Sequence, residues 1–131
     1  MAQVEVDTYV KVTNLWIAVD VGLVINPDGV VNQIEGGALQ SMSWTLKEQV
    51  RILQGRVISN NWEDYPILKF SEVPIVQTEI ISRPTLPALG AGETSIGPTG
   101  AAIANALTNA IGVRVRKMPL TRENIIASME S

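Results

Sequence analysis

Apolar and polar residues alternate at the start of the chain, with Val4, Val6, Val10 and Val12 set among Glu5, Lys11 and Thr13. A period of two is that of a half-buried strand, and Asp7-Thr8 interrupts it as a turn. Residues 15–21 form a nearly continuous apolar run broken only by Asp20, which predicts a second, buried strand pairing antiparallel with the first. Turn residues follow in Asp20-Val21-Gly22 and Asn26-Pro27-Asp28-Gly29. Val31, Ile34, Ala38, Met42 and Leu46 then recur at helical spacing, so a helix is predicted over 30–50 with Asp28 as its N-cap. Leu53-Gln54-Gly55-Arg56 reads as a hairpin turn into a strand at Val57-Ile58, 60–70 as irregular, and 73–81 as a further strand. The prolines and glycines of 83–98 predict a long loop, a kind of segment that often carries function. Thr99 is expected to cap a helix over 100–111 closed by Gly112. Val113, Val115 and Met118 suggest a last strand, and Thr121 opens a short helix running to Met129. The order is strands, helix, strands, helix, strand, helix: an α+β (mixed α/β) fold.

Composition narrows the chemistry. The 131 residues match one domain, 1–131, and 46% hydrophobic with 18% charged residues fits a folded core rather than disorder. A net charge of -3 gives no electrostatic footprint for nucleic acid. No apolar run reaches membrane-spanning length, and no signal peptide is expected over its first residues. The compartment stays open between cytoplasm and periplasm. There is no Cys and no His, so thiolate or histidine metal sites, iron–sulfur ligation and Ser-His-Asp triads are excluded from this chain. No protein metal ligands are expected here. Acid–base work falls to Asp or Glu.

Two stretches stand out as chemistry. In Gly90-Ala91-Gly92-Glu93 a carboxylate sits on a glycine-flanked turn, where glycines let the backbone approach a bound group closely. Glu93 in such a place serves either as a general base or as a negative charge favouring the start of the next helix. In the first helix, Gly36, Gly37, Ala38, Ser41 and Ser43 form a small-residue cluster. Adjacent glycines cost a helix about 1 kcal/mol each, so close packing against backbone or ligand is expected to offset them. Phosphate loops do not explain either stretch. The third Rossmann glycine is replaced by Ser95, and Pro98 occupies the lysine position of a P-loop, removing a cation and a backbone donor. Asp20, Glu35, Glu63 and Asp64 could each partner Glu93 in a two-carboxylate hydrolase, but no spacing selects one.

Six segments in order carry a resemblance. They are Asp20-Val21-Gly22 with Ile25-Asn26-Pro27; Asn32-Gln33-Ile34-Glu35-Gly36-Gly37; Trp44-Thr45-Leu46-Lys47-Glu48; Tyr65-Pro66-Ile67; Gly90-Ala91-Gly92-Glu93; and Ala102-Ile103-Ala104-Asn105-Ala106. Together they resemble the C-terminal part of the molybdopterin-binding large subunit of the xanthine dehydrogenase and aldehyde oxidase family. Asn32 and the 62–67 segment incline the match toward the isoquinoline 1-oxidoreductase and nicotinate dehydrogenase type.

That resemblance implies roles for particular residues. Gln33 falls where the family sets a side-chain amide against the pterin, and Gly36, Gly37, Gly90, Ala91 and Gly92 fall on the cofactor-facing segments. Glu93 falls on the catalytic glutamate, the base that takes a proton from a molybdenum-bound hydroxyl while an aldehyde or N-heterocycle is oxidised with water as oxygen source. The implied cofactor is molybdopterin with molybdenum, in its cytosine dinucleotide form. The implied partners are the remainder of the large subunit and a small 2Fe-2S subunit that accepts electrons. Large subunits of the family are several times longer, so this chain is expected to be one cofactor-binding piece, neither holding the cofactor firmly nor active alone. The alternative is a non-catalytic assembly or interaction module that keeps the fold.

Overall fold

The computed structural model describes residues 1–130. Strand β1, Ala2–Val6, turns through residues 7–9 and returns antiparallel as β2, Val10–Val19. The apolar run at 15–19 is therefore not a separate strand but the second half of β2. The register steps between Gln3 and Val4, which leaves Thr13 as an extra residue on β2. Such a bulge inverts the alternation of faces. Val10 and Val12 point into the core before it, and Leu15 and Val19 do so after it. That change of parity is why one strand reads as two.

Helix α1, Pro27–Leu46, begins earlier than its apolar spacing suggests. Its N-cap is Asn26, whose side chain accepts from the Gly29 amide at 3.0 Å, rather than Asp28. Pro27 has its φ preset and no donor to lose, so the first helical position suits it. The hairpin of β3, Ile52–Leu53, and β4, Arg56–Val57, turns through Gln54 and Gly55, both at positive φ. Two such residues give a turn whose twist matches the strands, and the expected hairpin is present. A 3-10 turn at Phe70–Glu72 precedes β5, Ile75–Ile80.

β5 pairs parallel with β2, giving the sheet order β1-β2-β5. The expectation of antiparallel strands thus holds for β1 with β2 and for β3 with β4, but not for β5. The chain leaves β2, crosses over through α1 and re-enters the sheet in the same direction, as a crossover connection requires. Helix α2, Ile96–Ile111, starts four residues before the expected position, with Ser95 rather than Thr99 in the N-cap position and no side-chain capping bond. Pro98 lies in its first turn, where a missing N–H breaks no helical bond. Gly112 ends it in the left-handed conformation, as expected. No strand forms over 113–118: the sheet has no partner for it, and Val115 is buried as a single apolar anchor. The Leu120 amide then donates to the Thr45 carbonyl at 2.7 Å, docking the segment on the end of α1. Helix α3, Arg122–Met129, is capped by Thr121 as expected.

The two long helices cover one face of the sheet. Met42 and Leu46 of α1 and Ile103 and Leu107 of α2 pack with Val12 and Leu15 of β2 in the main core. Each such side chain contributes roughly 1.5–3 kcal/mol by leaving water. A smaller cluster of Val19, Val21 and Ile34 lies at the other end of α1, with Ile80 and Ala91 against it. The Lys47 ammonium bonds both carboxylate oxygens of Glu72, and the Lys69 amide donates to Glu72 Oε2 at 2.7 Å. Burial alone would raise the Glu72 pKa, but these bonds and the two lysine charges hold it below the ordinary carboxylate value. No helix among the described residues is long and apolar enough to cross a membrane.

Candidate functional site

The smaller apolar cluster is the floor on which the two sequence-selected stretches meet. The 83–90 loop is laced to the end of β2 by backbone bonds, Leu89 N–H to Val21 O at 2.8 Å and Leu23 N–H to Leu86 O at 3.2 Å. Gly22 makes that lacing sterically feasible: at φ +66° it turns past the Pro87 carbonyl, which a Cβ would approach to 2.0 Å. Asp20 supports the turn, its Oδ1 accepting from the Gly22 amide at 3.0 Å and its Oδ2 from Arg83 Nε at 3.3 Å. Ala91 is half-buried on the cluster, and the Thr94 hydroxyl donates to the Gly90 carbonyl at 3.1 Å. The turn carrying Glu93 is therefore anchored on both sides.

The helix brings Gln33 to this turn. A Cβ built on Gly92 would stand 3.5 Å from Gln33 Oε1, and one built on Gly37 would stand 3.6 Å from the Gly92 carbonyl. Gly92 thus lies against positions 33 and 37, one helical turn apart on α1. Gln33 and Glu93 are both exposed, and neither side chain makes a hydrogen bond or ion pair among the described residues. Gly36 and Gly90 are exposed too, and a Cβ on either would meet no atom within 4 Å. Gly37 differs: it is buried, its place fixed by the loop. Next to the turn, a cavity of about 230 Å³ is lined by Ile17, Asp20, Ile34, Thr94, Ser95 and Thr99, among others.

Two of the other candidate carboxylates are engaged by partners of their own. Asp64 is bonded to Arg51 and Asn61, far along the chain in the irregular segment, and Asp20 is engaged in its own turn. Among the described residues no group of three or more His, Cys, Asp and Glu could hold a metal ion. In the sequence Ser95 stands out only as the residue in place of the third Rossmann glycine. It is 3% exposed and donates to the Ile34 carbonyl at 2.8 Å. The available signal was a hydroxyl directly following the glutamate turn in a chain whose first helix is lined with small residues.

Comparison with known proteins bears on this arrangement. The model of the molybdopterin cofactor-binding domain matches residues 1–74, which include Gln33, Gly36 and Gly37. The chain belongs to that family. In the nicotinate dehydrogenase of Pseudomonas putida, one subunit is 42% identical over 120 residues, 92% of this chain and 10% of that protein. The beta subunit of isoquinoline 1-oxidoreductase from Brevundimonas diminuta is 36% identical over 110 residues, 84% of this chain and 14% of that protein. Among solved structures, quinoline 2-oxidoreductase of Pseudomonas putida 86 superposes with a TM-score of 0.83 at 28% identity, covering 93% of this chain and 16% of its own. The molybdopterin-binding domain described here is thus a part of the xanthine dehydrogenase and aldehyde oxidase family, and its α+β fold is that of molybdenum hydroxylase domains. It spans only a small share of the length of the relatives it matches.

Proposed function

We propose that the chain is the C-terminal cofactor-binding piece of a molybdenum hydroxylase that oxidises an aldehyde or an N-heterocycle with water as the oxygen source. The observation that carries this reading is that Gln33 and Glu93, exposed on the two segments that meet at Gly92, make no hydrogen bond or ion pair among the described residues, with Gly36 open to solvent one turn from Gln33 on α1. Gly36 is the sharpest case. A glycine inside a helix costs about 1 kcal/mol relative to alanine, yet nothing of this chain stands where its side chain would go. A bound group lying against the helix accounts for it, and the residues fit molybdopterin. The Gln33 amide both donates and accepts, as the edge of a polar heterocycle requires. Gly90 leaves room for close approach, Ala91 anchors the turn, and Gly92 passes beside Gln33. Gly37 acts indirectly by admitting the loop.

When bound, the cofactor supplies two-electron oxidation and activates the water-derived oxygen. Glu93 then has one task, to accept a proton at its carboxylate during that step. It needs no intrinsic strength as a base, because metals acidify the groups bound to them. The cofactor is proposed in its cytosine dinucleotide form. A chain without Cys cannot hold a cluster, so electrons are proposed to leave through a small 2Fe-2S subunit. Phe70, 99% exposed, and exposed Trp62 and Ile75 suit a surface covered by the remainder of the large subunit. With Gln33 and Glu93 open to solvent, the chain alone is proposed neither to retain the cofactor nor to turn over substrate.

The test is Gln33→Ala in the complete enzyme, read as molybdenum retained through dialysis. Loss of one hydrogen bond to the cofactor is worth about 1 kcal/mol, so retention weakens roughly fivefold. Turnover per remaining molybdenum changes less. Wild-type retention would remove Gln33 from the cofactor face.

A further inference from the structure

Two hydroxyls clasp the turn that carries Glu93 onto the helix that carries Gln33. The Ser95 hydroxyl, two residues past Glu93, donates to the carbonyl of Ile34, the residue next to Gln33, at 2.8 Å. Two turns further along α1, the buried Ser41 hydroxyl donates to the Ile96 carbonyl at 2.6 Å. The first clasp depends on Gly37, where a Cβ would stand 2.6 Å from Ser95 Oγ. The carbonyl that Ser95 uses sits inside a helix, so the bond adds to the helical ladder instead of completing it. A bond that the fold does not need for its backbone, buried and aimed from one functional segment to the other, fixes their separation.

We propose that Ser95 is a positioning residue, setting the distance between the Glu93 carboxylate and the Gln33 face of α1, with Gly37 as the recess that receives it. This rests on the function proposed above. Positioning matters in proportion to the directionality of the step: a base held at a loose distance transfers its proton less often, even when the substrate is bound as well as before.

The experiment uses the complete, cofactor-loaded enzyme. Ser95→Ala is expected to lower kcat per bound molybdenum about tenfold, with KM and molybdenum content within about twofold. Amide hydrogen exchange at residues 90–94 is expected to quicken in both the loaded and the cofactor-free subunit, while the α1 core stays protected. Gly37→Ala, pushing Ser95 from the other side, is expected to give the same loss. Combined with Ser95→Ala it adds little, because the oxygen it collides with is gone; the remaining neighbours, Ile96 Cγ1 and the Gly92 carbonyl, lie at ordinary contact distances of 3.5 and 3.6 Å. Wild-type kcat per molybdenum with unchanged exchange at 90–94 overturns the inference, as does a lower melting temperature accompanied by wild-type kcat. The parent reading fails separately: it falls if Glu93→Gln turns over normally, whereas a normal Ser95→Ala beside an inactive Glu93→Gln sinks only the positioning role.

Discussion

Replacing Glu93 by glutamine in the complete enzyme is expected to cut turnover between about a hundredfold and ten-thousandfold while leaving molybdenum content unchanged. Glutamine keeps the size and polarity of the side chain and removes only its capacity to take a proton. The turn should not notice the change, because the Glu93 carboxylate bonds nothing among the described residues. Its geometry is set instead by the Leu89–Val21 backbone bond, the Ala91 contact and the Thr94–Gly90 bond. Single-turnover kinetics on the molybdenum-replete variant separate a lost proton acceptor from a lost cofactor. Normal turnover would return Glu93 to the simpler role of a charge favouring the start of α2.

Gly22→Ala is expected to have the largest structural effect. The residue is left-handed at φ +66°, and the added Cβ would stand 2.0 Å from the Pro87 oxygen and 3.0 Å from its carbon, both backbone atoms. The left-handed conformation alone costs about 1–2 kcal/mol for a residue with a Cβ. The collision adds to it, for a total of roughly 3 kcal/mol or more. Relief comes by parting the 83–90 loop from β2, which breaks the Leu23–Leu86 and Leu89–Val21 bonds and loosens the turn ahead of Glu93. Limited proteolysis of the complete subunit should cut faster within 83–93, and turnover per molybdenum should fall although no side chain of the site has changed. A cleavage pattern and melting curve like wild type would show that the lacing does not depend on Gly22.

Much of this was legible in the residues because local chemistry decided it. The Leu53-Gln54-Gly55-Arg56 turn, the Gly112 helix stop and the Thr121 cap each follow from a conformation or a hydrogen bond contained within a few residues. What escaped needed information from across the fold. The bulge at Thr13 is visible only against β1, and the parallel direction of β5 only once α1 is known to cross over. The alternation over 113–117 mimics a strand, but without a neighbouring edge it buries one valine and passes on. Pro98 looks like a helix breaker until it is placed in the first turn of α2.

The site divides along the same line. The glycine-flanked glutamate and the small-residue cluster of α1 could be singled out from sequence, including the expectation that the cluster packs closely. Only three-dimensional contacts separate its members. Gly37 and Ser41 face the loop and the start of α2, while Gly36, its direct neighbour, faces outward into open space. Ser95 lies 61 residues from the carbonyl it bonds, so a hydroxyl after the glutamate turn does not by itself reveal its partner.

That outward glycine gives the most direct test of the central claim, that this edge of α1 and the Glu93 turn together face the cofactor. Leucine is about 0.8 kcal/mol better than glycine in a helix, and Gly36 is exposed with no atom of this chain within 4 Å of where a Cβ would stand, so Gly36→Leu is expected to leave the fold intact. The measurement is molybdenum per complete subunit. The expected result is a folded subunit whose molybdenum content falls at least about tenfold, because the isobutyl group occupies the space the cofactor needs. A Gly36→Leu enzyme with full molybdenum and normal turnover would contradict the account.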